Sequence, residues 1–345
     1  MADLLPVKNL LLRPIFMLVV LVCFGLPACQ TTAPDNSAGV AQTTATRTPF
    51  QAVSATVVIP PTMAATAAAS MTAQPTATNT NIPATATALP TSTLTPEPAN
   101  TSTPEPEQCS EITGRIEEKE TAFQADGTPF NFRVYLPPCF DSRTGAPYPT
   151  LYMIHGQTFS DDQWQRLGIA EAADAMISSG NAPPFMIIMP REPNTFADIY
   201  LSSFYSDVTD GLVGWVDDQY PTCAQRECRA IGGLSRGGAW ALYMGFTRWE
   251  LFGAVGAHST PPFNTTPRDF PGWVQQIPPD SLPRVYMDIG RSDPYLSYAS
   301  AMESQMVDLG VPHEWYLFNG THNEEYWSEH VDGYLVWYTQ PWHNP

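Results

Sequence analysis

From Tyr148 to the C-terminus, short apolar runs of strand character alternate with stretches of helical spacing, and this alternation restricts the fold more than any other feature. "YPTLYMIHG", "PPFMIIMP", "CRAIGGL", "FGAVGAHS", "RVYMDIG" and "HEWYLFNG" are each read as a strand. They are apolar almost throughout, as strands buried on both faces are. Between them, "SDDQWQRLGIAEAADAMISSG" reads as one helix, with Leu167, Ala170, Ala173, Met176 and Ile177 at helical spacing and Gly180 as its stop. "YSDVTDGLVGWVDDQYP" reads as another, with Val208, Leu212, Val213 and Val216 inward, and "SRGGAWALYMGFTRW", "SYASAMESQMVDLG" and "EEYWSEHVDGYLVWY" as three more. The pattern predicts the α/β class, with a mostly parallel central sheet and helices on both faces. Ligands of such sheets bind beyond the carboxyl ends of the strands.

Composition divides the 345 residues into three parts. Residues 1–29 carry Lys8 and Arg13, then an apolar run from Ile15 to Leu26 that is too short for a comfortable membrane span, then "LPAC". This is the order of a secretory signal. "LPAC" also resembles a bacterial lipobox, with Pro27 an unusual occupant, which makes Cys29 the expected lipidation site; the alternative is an ordinary signal peptide cut nearby. Residues 30–107 are rich in Thr, Pro and Ala and poor in large apolar side chains, so they are expected to form a disordered tether with a reach of roughly 50 Å. Residues 108–345 hold nearly all the aromatic residues and are expected to form one catalytic-sized domain. The localisation read from this order is export, with the domain lipid-anchored at the outer face of the cell membrane or at the cell surface.

A formal net charge of −18 argues against nucleic acid as a partner and against anionic lipid binding through the domain surface, so the membrane is expected as a partner only through the N-terminal lipid. Besides Cys23 and Cys29 there are four cysteines, and an even number in an exported chain suggests disulfides. Three pairings are possible. The preferred one is Cys109 with Cys139, which flank a hairpin turning at "ADGTP", and Cys223 with Cys228, which close a short loop before a strand. A zinc site is disfavoured because the thiols lack paired CxxC spacing and no histidine lies near them in sequence. No metal and no cofactor is expected.

The chemistry centres on "GGLSRGG", which sets Ser235 between Gly233 and Gly237 at a strand-to-helix junction. A nucleophile elbow needs this arrangement, because the serine takes a strained backbone and any larger residue two positions away would collide with the turn. Serine also needs a base and an orienting carboxylate. "GRSDPY" places Asp293 after one strand and "GTHNEEYW" places His322 after the next, in the order Ser, Asp, His. Asp288 competes with Asp293 but lies inside its strand.

Together with "LYMIHG" followed by "DDQW", "PPFMIIMP" and "LFGAVGAHS", these motifs make the domain from about residue 110 resemble the putative esterase family of the α/β-hydrolases. That family contains esterase D, feruloyl and acetylxylan esterases, enterochelin-esterase-like proteins and mycolyltransferases. The resemblance implies the α/β-hydrolase fold, Ser235 as nucleophile, His322 as base, Asp293 as acid, and an oxyanion hole from the backbone N–H groups of Gln157 and Arg236. The Arg236 side chain departs from the Met or Gln often seen there; it either attracts a substrate carboxylate or pairs with an acidic residue.

His155, Trp164, His258, Tyr295 and Trp327 are candidate substrate contacts, each weighed against a packing role. For His155 that role is ordering the loop that follows it. His313, His330 and His343 are expected at the surface. The stretch from Ser259 to Pro283 is the one sizeable insertion near the site. The function these features support is a serine ester hydrolase that acts through an acyl-enzyme on small or polysaccharide-linked esters. Its rivals are an acyltransferase of the same fold and a non-catalytic tethered binding module.

Overall fold

A computed structural model describes residues 56–57 and 109–343, apart from 125, 143, 144 and 146. The signal and lipobox reading of residues 1–29 lies outside the described residues, and so does the tether except at Thr56–Val57. Nine strands make one sheet: β1 (Thr56–Val57), β2 (Arg115–Thr121), β3 (Phe130–Leu136), β4 (Thr150–Ile154), β5 (Met186–Pro190), β6 (Arg229–Leu234), β7 (Ala254–His258), β8 (Arg284–Gly290) and β9 (Glu314–Phe318). Their order is β1-β9-β8-β7-β6-β4-β5-β3-β2. The six strands from β9 to β5 are parallel, while β1, β3 and β2 join antiparallel at the two ends.

The helices are α1 (Gln163–Arg166), α2 (Ile169–Ser178), α3 (Phe204–Ser206), α4 (Val213–Gln219), α5 (Arg236–Thr247), α6 (Thr266–Gln276), α7 (Leu296–Asp308) and α8 (Glu324–Thr339). Alternation along β4 shows how the sheet is covered. Tyr152 and Ile154 face Phe204, Leu212, Trp240 and Met302 from α3, the turn before α4, α5 and α7. Leu151 and Met153 face Trp164, Ala173, Leu335 and Tyr338 from α1, α2 and α8. Both faces are therefore dry, which is why the central strands carry no polar alternation.

Two expected helices are not continuous. The Ser160–Gly180 stretch divides into α1 and α2 because Gly168 adopts a left-handed backbone (φ 88°) that ends the first turn and starts the second. Between α3 and α4 the backbone widens into a π turn over Asp207–Leu212, where a Cβ on Gly211 would strike the Phe123 ring. The inward side chains Val208, Leu212, Val213 and Val216 are buried across this irregularity. The preferred cysteine pairing is present: Cys109 is bonded to Cys139 and Cys223 to Cys228. These disulfides fit an exported protein.

β4 and β6 are neighbours, and the chain runs outward from them in opposite directions, to β5 on one side and to β7, β8 and β9 on the other. The loops that leave their carboxyl ends diverge and open a crevice. Gly156 and Ser235 stand side by side at its floor, where a Cβ on Gly156 would approach the Ser235 Cβ and Leu234 Cδ1.

Candidate active site

Ser235 follows β6 directly and has φ 53°, ψ −122°, a conformation that non-glycine residues rarely hold. The surroundings impose it. The Ser235 N–H donates to the His258 carbonyl at 2.8 Å, and α5 begins at the next residue. A Cβ on Gly233 would run into the Gly237 carbonyl group, and one on Gly237 into the carbonyl of Ile154. Only glycines let strand, turn and helix come this close.

The turn after β8 supplies Asp293, whose side chain is fully buried. Its Oδ1 accepts from the Tyr295 N–H at 2.8 Å, and its Oδ2 lies 2.9 Å from His322 Nδ1. The loop after β9 supplies His322, whose Nε2 lies 2.9 Å from Ser235 Oγ. Asn323 caps α8 by accepting from the Tyr326 N–H, so the histidine sits where the loop is tied to a helix start. Tyr295 and Trp327 both meet the imidazole edge-on, with ring centroids at 4.9 and 5.0 Å. A carboxylate at Nδ1 makes that nitrogen the donor, which leaves Nε2 free to accept the serine proton. Ser235, Asp293 and His322 are thus brought into one hydrogen-bonded line from three separate loops.

The line opens into a pocket of about 580 Å³. Gln157, Ser235 and His322 line it together with the aromatic side chains of Phe159, Phe196, Tyr295 and Trp327. The backbone N–H groups of Gln157 and Arg236 find no acceptor among the described residues, so both donors are unspent beside the serine. Phe196 is 74 % exposed and Phe159 38 %, so the mouth is open to solvent.

Three expected substrate contacts are not on this pocket. Trp164 is buried and donates its Nε1–H to the Ile154 carbonyl at 3.0 Å. His155 is buried, with Nδ1 2.8 Å from the Gly156 carbonyl and Nε2 accepting from the Glu192 N–H at 2.9 Å. His258 is fully buried, with Nδ1 2.7 Å from Asp288 Oδ1 and Nε2 3.0 Å from the Tyr338 hydroxyl. Asp288 Oδ2 accepts from the Tyr326 and Tyr334 hydroxyls at 2.6 and 2.9 Å, so every oxygen of this carboxylate is satisfied inside the core. Burial, and then the Asp288 charge, push the Tyr326, Tyr334 and Tyr338 hydroxyls well above their usual range, and all three remain donors.

Arg236 turns its side chain away from the pocket. Its guanidinium grips the buried Glu192 carboxylate with Nε at 2.8 Å and Nη2 at 2.6 Å, and donates to the Ala197 carbonyl at 3.0 Å. Of the two roles expected for this side chain, pairing with an acidic residue is the one present. The Ser259–Pro283 insertion forms α6 against α5 and contributes no wall; Phe196, from the loop after β5, does so instead. His313 is buried and His330 half-buried against the Tyr326 carbonyl, so neither is a surface histidine. His343 is exposed.

Sequence reasoning missed Phe159, Phe196 and Glu192. The signal for Phe196 was an isolated aromatic in the polar run "REPNTFADIY" just past a strand end. Glu192 carried no signal of its own, since its partners come from two other loops.

A family model described as putative esterase matches residues 124–338. An endo-1,4-beta-xylanase/feruloyl esterase of Xylanibacter ruminicola is 28% identical over 153 residues, which cover 41% of this chain and 21% of that protein. The match thus spans about a fifth of the length of that relative. Among solved structures, a ferulic acid esterase aligns with a TM-score of 0.58 at 21% identity, covering 67% of this chain and 99% of that one. An S-formylglutathione hydrolase of Staphylococcus aureus aligns at 0.53 and 17%, covering 66% and 99%. A ferulic acid esterase of Anaeromyces mucronatus, solved with ferulic acid, aligns at 0.54 and 17%, covering 68% and 92%. At these identities the likeness to solved structures shows a shared fold.

Proposed function

Because the chain belongs to the putative esterase family, we propose that it hydrolyses carboxylic esters through an acyl-enzyme on Ser235. The observation that carries this reading is the unbroken line from Asp293 through His322 to Ser235 Oγ, ending in an open pocket. As Ser235 Oγ bonds to the ester carbonyl carbon, His322 Nε2 takes the hydroxyl proton and Asp293 steadies the imidazolium that forms. The carbonyl oxygen gains the charge and rests on the Gln157 and Arg236 N–H groups. Collapse expels the alcohol, which leaves with the proton from His322. Water then repeats the sequence on the acyl-enzyme, its proton passing to His322 and back to Ser235 as the acid departs.

The substrates are small or carbohydrate-linked esters. An open mouth admits a bulky alcohol, and Phe159, Phe196, Tyr295 and Trp327 suit a flat or short apolar acyl group. The names of the related xylanase/feruloyl esterase and ferulic acid esterases agree with that class. A fluorophosphonate probe should label the wild type and not Ser235→Ala. A panel of acetyl, feruloyl and longer acyl esters then ranks the acyl group. A folded wild type that neither labels nor cleaves any ester would overturn the reading.

The domain acts outside the cell, held by lipid on Cys29 and carried on the segment 30–107. The "LPAC" motif after an apolar run and the Thr/Pro-rich composition support this. Incorporation of labelled palmitate that is lost in Cys29→Ser tests it; equal labelling of both chains would refute it.

A further inference from the structure

We infer that His155 is a positioning residue that aims the Gln157 N–H at the oxyanion, in a tautomer fixed by the backbone of Glu192. The inference rests on the hydrolase reading above and concerns how its oxyanion hole is built.

In a trans peptide the C=O and N–H point in opposite directions. Whatever holds the Gly156 carbonyl therefore sets the direction of the Gln157 N–H that shares its plane. His155 Nδ1 lies 2.8 Å from that carbonyl oxygen, which is an acceptor only, so Nδ1 must carry the proton. On the far side of the ring, Nε2 lies 2.9 Å from the Glu192 N–H, which is a donor only, so Nε2 must be bare. The two contacts admit one form of the side chain, the neutral Nδ1–H tautomer. Burial lowers the His155 pKa, in keeping with a neutral ring.

The Glu192 backbone is itself held. Its side chain is fully buried and paired with Arg236, the residue whose own N–H is the second oxyanion donor. The bonds run from the Gly156 carbonyl through His155 and Glu192 to Arg236, and so join the loops after β4, β5 and β6. The Gly156 N–H is also engaged, donating to the buried Gln163 Oε1 at 2.8 Å. With both ends of Gly156 tied, the direction of the following N–H is fixed, on a residue that lines the same pocket as Ser235.

The test uses the full chain with p-nitrophenyl acetate. Both half-reactions pass through an oxyanion, so a misaimed donor slows both together, and kcat falls while KM holds. Removing one oxyanion donor typically costs roughly 10²–10³ in kcat, so His155→Leu should lower kcat by about 10- to 100-fold, with KM changing less than about twofold. His155→Asn keeps an N–H donor near the position of Nδ1 and should recover most of the loss. Nitrogen-15 histidine spectra of the wild type should show several Nδ1–H imidazoles, His258 and His322 among them, and one of these signals should vanish in His155→Asn, which assigns it to His155. That measurement stands even if the Leu variant fails to fold. An Nε2–H ring, or Leu and Asn variants that lose kcat equally or mainly raise KM, would overturn the inference. If the wild type labels at Ser235 and cleaves ester while His155→Leu keeps its kcat, the inference fails and the hydrolase reading stands. If the wild type does neither, the hydrolase reading itself has failed.

Discussion

Strand β8 and the turn that follows it supply two aspartates five residues apart, and each holds a histidine by Nδ1. His322 with Asp293 sits on loops at the open edge of the sheet; His258 with Asp288 is sealed between β7, β8 and α8. The chemical pair is the same, and the distances, 2.9 and 2.7 Å, are nearly so. The difference lies at the other nitrogen. His322 Nε2 meets a serine hydroxyl beside an open pocket, whereas His258 Nε2 meets the Tyr338 hydroxyl, fully buried. A histidine–aspartate pair is thus a structural brace or a proton carrier according to what stands at its free end, and pair geometry alone does not decide.

Four substitutions would break or sharpen that contrast. Ser235→Ala should have the largest effect, a loss of ester turnover on the order of 10⁵- to 10⁶-fold with an unchanged unfolding midpoint, measured by steady-state hydrolysis and thermal melts. Asp293→Asn leaves Nδ1 without its anionic acceptor and should lower kcat by about 10⁴-fold, again with little loss of stability. Asp288→Ala reverses the pattern. Removing one partner of a buried pair should cost about 3 to 5 kcal/mol in denaturant unfolding, while turnover per folded molecule is retained. Abolished turnover at full stability in that variant would mean that the two pairs do not differ in kind. Tyr338→Phe, which removes one hydrogen bond from His258, should cost about 1 kcal/mol and leave kcat unchanged.

The same contrast marks what the sequence made legible. β8 coincides with "RVYMDIG", and Ser235, Asp293 and His322 each stand just past a strand end, where a reader of periodicity looks. Such positions depend on the local pattern alone. The partner of His258 does not: it requires knowing that β7 and β8 are adjacent with His258 opposite Asp288, and that α8 brings three tyrosines over them. Register between parallel strands leaves no mark in one sequence, because the residues that meet are set by crossovers. For the same reason the sequence leaves the role of the Arg236 side chain open between two readings. Its partner Glu192 lies in a different loop, and only the assembled sheet places it within 3 Å. Phe196 is not legible in the sequence because a wall residue on a polar loop has no periodicity to announce it.

The Cys109–Cys139 bond has a mechanical consequence. β2 is the last strand at one end of the sheet, paired only with β3, and its register begins with Arg115 opposite Leu136. A pull on the chain ahead of Cys109, acting along residues 109–115 alone, would unzip β2 from β3 one ladder rung at a time. The disulfide diverts that load to Cys139, three residues beyond the end of β3. The force then enters a strand flanked by β2 on one side and β5 on the other, where the hydrogen bonds must shear together. A covalent link beside the start of β2 therefore keeps a pull on the chain just ahead of Cys109 off the β2–β3 ladder.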